Sequence, residues 1–172
     1  AGLRASLAAA RAVGAPLLIA QSGNVVDGAA RAAQHAALVE VLRRAGEILS
    51  GSGVVLALEP LNDRVDHPGY FLTSTAEGLD IVDETGRPEV RLLYDIYHAA
   101  VMGEPIEVLE GRLDRVAHVH LADTPGRHEP GSGSLDWRAR LDWLAGHGYR
   151  GLVGLEYRPT GDTVESLRFR GR

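Results

Sequence analysis

Residues 118–133, HVHLADTPGRHEPGSG, gather more reactive side chains than any other stretch of the chain. His118 and His120 stand two positions apart in a short apolar run, so both rings fall on one face of a strand. A loop rich in Gly and Pro follows, carrying Arg127, His128 and Glu129. A guanidinium in such a loop suits a carboxylate, which it binds through two parallel hydrogen bonds. The plainer reading of Arg127 is a surface arginine. His128 and Glu129 read as residues that lock the loop.

Three more apolar runs each deliver one carboxylate at their C-terminal end: VVLALE ending at Glu59, VRLLYD ending at Asp95 and GLVGLE ending at Glu156. With His120 they make three carboxylates and one imidazole. That is a hard, oxygen-rich donor set that suits Mn²⁺ or Mg²⁺, and Zn²⁺ or Co²⁺ less well. Each residue also has an ordinary reading. Glu59 before a proline could be a solvated loop carboxylate, Asp95 could cap the turn that follows, His120 could be a core histidine, and Glu156 could pair with a surface arginine. Their recurrence at one structural position in successive units favours a shared metal site, because unpaired charges are costly in an interior. Ala57 and Gly154 precede the two glutamates by two positions and leave room on the same face. His118 faces the same way as His120, either to orient a ligand or simply to pack.

The elements that must position these groups alternate regularly. A helix is predicted over residues 1–14, with Leu3, Leu7, Ala10 and Val13 at helical spacing and Gly14 as its stop. A strand at Pro16–Gln21 is followed by a helix from Asp27 to Leu49 and a strand at Val54–Glu59. Residues 60–72 form a loop. Thr73 or Ser74 caps a helix to about Glu84 that Gly86 ends. Val90–Asp95 is a third strand, followed by a short helix near 104–112. Val116–Leu121 is the fourth strand, Trp137–Gly146 a helix and Gly151–Glu156 the fifth strand. A last helix begins near Asp162.

Strands alternating with helices argue for parallel βα units, with strands covered on both faces. Five strands are too few to close an eight-stranded barrel, so the chain is either an open α/β sheet or a barrel without its first three βα units. The second reading is preferred: α/β, a (β/α)8 TIM barrel present as a partial barrel of about five βα units. Residues 1–172 are read as one domain that lacks the N-terminal strands of a longer protein. In a parallel barrel the strand ends converge on one mouth, where ligands and substrate-holding loops meet.

Composition narrows the function classes. The 172 residues are 45% hydrophobic and 24% charged, as in an ordinary globular domain. A formal net charge of −5 disfavours a nucleic-acid partner, which calls for a concentrated basic surface. The absence of cysteine excludes disulfides, thiolate catalysis and Cys-type zinc sites. No apolar run reaches the ~18 residues of a membrane helix, so no membrane partner is expected. The Ala-rich opening reads as a helix rather than a transit peptide, and a cytoplasmic location is the expectation. Exposed strand edges would allow self-association into a homo-oligomer.

The blocks LALEPLND, GYFLTS, LLYDIYHA, HVHLADTPGRHEPGSG and GLVGLEYRP, in that order, resemble the hydroxypyruvate isomerase family of xylose-isomerase-like TIM barrels. The resemblance runs from about residue 1 to about 165 and corresponds to roughly the C-terminal two thirds of that family. It implies that Glu59 and Glu156 are paired catalytic glutamates that also ligate a metal, with Asp95 and His120 as the other ligands. It implies that His98, in the YDIYH block, and Arg127 contact substrate. Several family members carry Gln where this chain has His120, whereas related sugar epimerases carry His. The implied reaction is hydroxypyruvate to tartronate semialdehyde, through an enediolate, with Mg²⁺ or Mn²⁺ as cofactor and a small hydroxy-keto acid or sugar as partner. Rival readings on the same scaffold are a 2-oxo-tetronate isomerase, a ketose 3-epimerase, an inosose dehydratase and a metal-dependent endonuclease. An inactive fragment is the non-catalytic reading.

Overall fold

A computed structural model describes residues 2–171; Ala1 and Arg172, the outermost residues of the expected domain, lie outside the described residues. Five strands, β1 (Leu17–Ala20), β2 (Val55–Leu58), β3 (Val90–Asp95), β4 (Val116–Leu121) and β5 (Val153–Leu155), form one sheet in the order β1-β2-β3-β4-β5. Every pairing is parallel. The sheet curls into a half-barrel clad by helices, as the alternation of elements predicts.

The helices are α1 (Gly2–Val13), α2 (Arg31–Leu49), α3 (Thr75–Thr85), α4 (Ile96–Met102), α5 (Trp137–Gly146) and α6 (Thr163–Ser166). Ser74 caps α3 by accepting from the Glu77 N–H, and Gly86 closes it in the left-handed region. The structure starts α2 at Arg31 rather than Asp27. Gly28 turns the chain at φ 79°, and the Gln34 side chain ties that turn down through Val26 N–H at 2.8 Å and Ala29 O at 2.8 Å.

The connection after β3 also differs from expectation. The helix lies at Ile96–Met102, directly on the strand end, and residues 104–112 hold only a short 3-10 turn at Ile106–Leu109. Asp95 is both the last residue of β3 and the N-cap of α4, so the strand enters the helix with no loop to punctuate it. Among the described residues no helix is long and apolar enough to cross a membrane.

Alternation along the strands sorts side chains between two faces. Leu56, Leu58, Leu92, Tyr94, Val119 and Leu121 pack with Leu42, Leu49, Leu79 and Val82 of the helices. Burying each such side chain contributes about 1.5–3 kcal/mol. The opposite face carries Ala57, Asp95, His118, His120 and Gly154. The register sets Asp95 beside His120 and His120 beside Gly154. Coverage is uneven: β3 is almost wholly buried, while the edge strands β1 and β5 are not, with Ile19 47% and Val153 36% exposed. Both-face burial therefore holds for the central strands alone.

Candidate metal centre at the strand ends

Glu59, Asp95, His120 and Glu156 meet at the C-terminal rim of the sheet, with one ligand atom from each lying within 4.8 Å of all the others. Two hydrogen bonds continue the strand pairing past its ends and hold the glutamates in place. Glu59 N–H donates to Ala20 O at 3.0 Å, and Glu156 N–H to Leu121 O at 3.2 Å. Glu59, Asp95 and His120 are buried, whereas the Glu156 side chain, beyond the edge strand β5, is half exposed.

His120 is the hub. Its Nδ1 lies 3.3 Å from Glu59 Oε1, 3.2 Å from Glu156 Oε2 and 3.9 Å from Asp95 Oδ2. Burial pulls its pKa down, but the hydrogen bonds to Glu156 and Glu59 and their charges outweigh burial and raise it to about 9. Burial, reinforced by the Glu59 charge, pushes Asp95 up to about 7 against the hydrogen bond from His98 N–H and the cations nearby. Glu156 is held at about 2, chiefly by its hydrogen bond with His120 and then by Arg127, against the opposing pull of burial. Without a metal, the His120 imidazolium is thus favoured by its pairing with Glu156 and Glu59.

The donor set fits a divalent cation. Ligands about 2.0–2.4 Å from a common ion stand at most about twice that apart, and the observed spread of 4.8 Å or less is close to that limit. The space beside the imidazoles is kept open by Gly154. A Cβ there would fall 2.8 Å from His118 Nε2 and 3.1 Å from His120 Cδ2. His118 meets His120 edge to face, ring centroids 5.0 Å apart at 88°, so it buttresses His120 by ring contact.

Arg127 sits at the cluster's edge, its Nη2 2.5 Å from Glu156 Oε2 and 3.6 Å from Asp95 Oδ2. Its guanidinium carbon stands 5.2 Å from the Tyr97 ring centroid. Glu156 therefore does pair with an arginine, one that belongs to the site. The loop that carries Arg127 is built on Asp123, a fully buried residue that the sequence reading did not single out. Its Oδ1 accepts from Thr124 N–H at 2.8 Å and Leu135 N–H at 3.0 Å, and its Oδ2 from Gly131 N–H at 2.7 Å. Gly133 is required beside it, because a Cβ there would collide with Thr124 O and Asp123 Oδ1. His128 and Glu129 lock the same loop outward. His128 Nδ1 lies 2.7 Å from Arg158 O, and Glu129 Oε2 accepts from Thr160 N–H at 3.0 Å. Arg127 itself has φ 56°, a left-handed conformation that this scaffold imposes.

His98, on the first turn of α4, is 2% exposed and its Nε2 lies 3.8 Å from Asp95 Oδ2. Burial pushes its pKa down to about 3, so the ring is neutral. Behind it lie Asn62, Asp66 and Tyr97, which the sequence reading passed over. Their signal was position: Asn62 stands three residues after Glu59 in LALEPLND, and Tyr97 sits beside His98 in YDIYH.

The xylose isomerase-like TIM barrel family matches residues 1–170 of the chain. A putative hydroxypyruvate isomerase of Mus musculus is 40% identical over 96% of this chain and 62% of its own length. The hydroxypyruvate isomerase of Escherichia coli is 34% identical over 98% of this chain and 65% of its own length. Among solved structures, a Brucella melitensis protein described as an AP endonuclease of family 2 superposes with a TM-score of 0.91 at 35% identity, covering 98% of this chain and 65% of that one. The chain thus spans somewhat less than two thirds of these relatives. Five parallel βα units, four side chains able to hold a metal at one rim and a family match along nearly the whole sequence agree: the chain belongs to the xylose isomerase-like TIM barrel family.

Proposed function

We propose that this chain carries the catalytic centre of a metal-assisted isomerase of small hydroxy-keto acids, with hydroxypyruvate and tartronate semialdehyde as the leading substrate pair. The observation that carries the proposal is the meeting of Glu59, Asp95, His120 and Glu156 within 4.8 Å of one another. The isomerase names of the mouse and Escherichia coli relatives support it. Residues 1–172 form one domain piece in this proposal.

The reaction moves a proton between adjacent carbons, and its difficulty is a weakly acidic C–H bond beside a carbonyl. Glu59, Asp95, His120 and Glu156 would hold Mg²⁺ or Mn²⁺, which supplies Lewis-acid polarisation of the carbonyl and hydroxyl oxygens when bound. One glutamate takes the proton from the first carbon, and the hydroxyl proton passes to the former carbonyl oxygen. The neighbouring carbon of the enediolate receives its proton from the other glutamate, which recovers one from the first so that both are restored. Glu59 and Glu156 suit that division, one buried and one half exposed. Arg127, at the rim over Tyr97, suits the substrate carboxylate. His98 Nε2 faces the same space and suits a substrate oxygen.

An endonuclease reading, which the description of the Brucella relative would suggest, is disfavoured. The described residues gather only four side chains able to hold a metal in this cluster, and the chain carries a net charge of −5.

The test is turnover in the full-length enzyme with added Mg²⁺ or Mn²⁺. Glu59→Gln and Glu156→Gln should each lower kcat on hydroxypyruvate by about 10²–10⁴-fold. Near-normal turnover in both variants refutes the roles. A substrate panel with a 2-oxo-tetronate, ketohexoses, an inosose and abasic DNA identifies the reaction if hydroxypyruvate is not turned over.

A further inference from the structure

Asn62 is completely buried, and its hydrogen bonds leave no freedom in how its amide points. The Oδ1 accepts from the main-chain N–H groups of Val65 and Asp66, both at 3.0 Å, so that end of the amide must be oxygen. The Nδ2 end therefore faces the other way. It lies 2.6 Å from Asp66 Oδ2 and 2.7 Å from His98 Nδ1. The main-chain N–H of Asn62 donates to the same ring nitrogen at 3.1 Å. His98 Nδ1 thus faces two donors, and a protonated Nδ1 would be set against both.

We infer that Asn62 is a positioning residue that fixes His98 as the tautomer with its proton on Nε2, making that nitrogen a hydrogen-bond donor for a substrate oxygen beside Asp95. The use made of this donor rests on the isomerase reading; the tautomer does not. Nε2 is buried and has no hydrogen-bond partner among the described residues. Buried unpaired polar atoms are rare and call for an explanation. A carbonyl, hydroxyl or carboxylate oxygen of a hydroxy-keto acid supplies the missing acceptor. A ligand lacking that oxygen leaves the donor stranded, which makes this position selective.

Asp66 joins this donor to the rest of the substrate side. Its Oδ2 accepts from Asn62 Nδ2 and, at 2.7 Å, from Tyr97 OH. The Tyr97 ring in turn carries the Arg127 guanidinium. One carboxylate thereby aligns the two groups proposed to touch substrate.

The experiment is long-range ¹H–¹⁵N NMR of the histidine rings in the full-length protein, without metal and with diamagnetic Mg²⁺, assigning His98 by comparison with His98→Gln. The wild type should show a bare Nδ1 and a protonated Nε2. Asn62→Ala keeps the main-chain donor and should keep that tautomer. Asn62→Asp places an acceptor against Nδ1 and should move the proton there or add a second one, with kcat falling about 10- to 100-fold. A wild-type proton on Nδ1 overturns the inference with no variant needed. So does an unchanged Nε2–H tautomer in Asn62→Asp. If the isomerase reading alone is wrong, the ring spectrum is as stated and hydroxypyruvate is not turned over. If the tautomer inference alone is wrong, the losses in Glu59→Gln and Glu156→Gln persist.

Discussion

Asp95 grips His98 with one carboxylate oxygen and faces its ring with the other. Oδ1 accepts the His98 main-chain N–H at 3.1 Å, and Oδ2 lies 3.8 Å from His98 Nε2. Oδ1 also accepts from Tyr97 N–H at 2.7 Å, completing the cap of α4. Capping uses Oδ1 and leaves Oδ2 facing the cluster, so the capping reading of Asp95 holds and the proposed ligand role is compatible with it. The cap fixes the rotamer, so Oδ2 is aimed before any ligand arrives.

Asp95→Asn separates the two roles. The amide oxygen can still cap α4, but the anionic ligand is gone. Burial raises the Asp95 pKa from 3.8 to about 7, so its ionised form weighs against the fold. That penalty sets in above pH 3.8 and is complete above about pH 7. Without metal, the Asp95→Asn variant should therefore melt at or above the wild type at pH 8, yet show little of the rise in Tm that Mn²⁺ gives the wild type. Thermal melts with and without Mn²⁺ check this; a full metal-induced rise in the variant contradicts the ligand role.

Metal binding should expel a proton from His120. Its pKa of about 9 leaves the free site protonated at neutral pH, while a ligating imidazole must be neutral. In the metal-free protein this ion pairing stabilises the fold fully below pH 6.5 and is lost as pH rises through about 9. Apparent Mn²⁺ affinity should therefore rise between pH 6 and pH 9. Calorimetry in two buffers of different ionisation enthalpy measures the proton count; zero release at pH 7.5 contradicts it.

Asp123→Ala should loosen the loop that presents Arg127. Three main-chain N–H groups lose their acceptor in a buried setting. The expected loss of stability is about 2–4 kcal/mol. Amide exchange should speed up at Gly131 and Leu135 and leave β2 and β3 protected. Unchanged exchange at those two amides refutes the scaffold role.

Gly154→Ala tests the open face beside the imidazoles. The added Cβ would meet His118 Nε2 at 2.8 Å, so His118 must move and His120, which it touches edge to face, is pressed with it. Mn²⁺ affinity should fall by about tenfold or more, with the fold retained by circular dichroism. Unaltered affinity would show that the imidazoles have room to yield.

Much of this was legible along the chain because it is local. Period-two alternation put His118 and His120 on one face, and the VRLLYD and VAHVHL runs became β3 and β4 at their expected bounds. Glu59, Asp95 and Glu156 were recognisable because parallel strands end at a common rim. The helix after β3 escaped, since a buried Ile-Tyr-His-Ala-Ala segment that follows a strand without Gly or Pro carries no boundary signal. Asn62, Asp66 and Asp123 escaped as well, because what they do depends on partners that folding brings to them.

The sequence by itself determined the alternation of strands and helices, the ligand types and the face each occupies, since backbone geometry repeats every few residues. Tertiary structure alone decided that four ligand atoms share one small space, that Arg127 turns back onto Glu156, and that Asn62 faces His98 Nδ1 with a donor. Those outcomes depend on register and on which end of a side chain points where, and hydrogen bonds between residues distant in the chain set both.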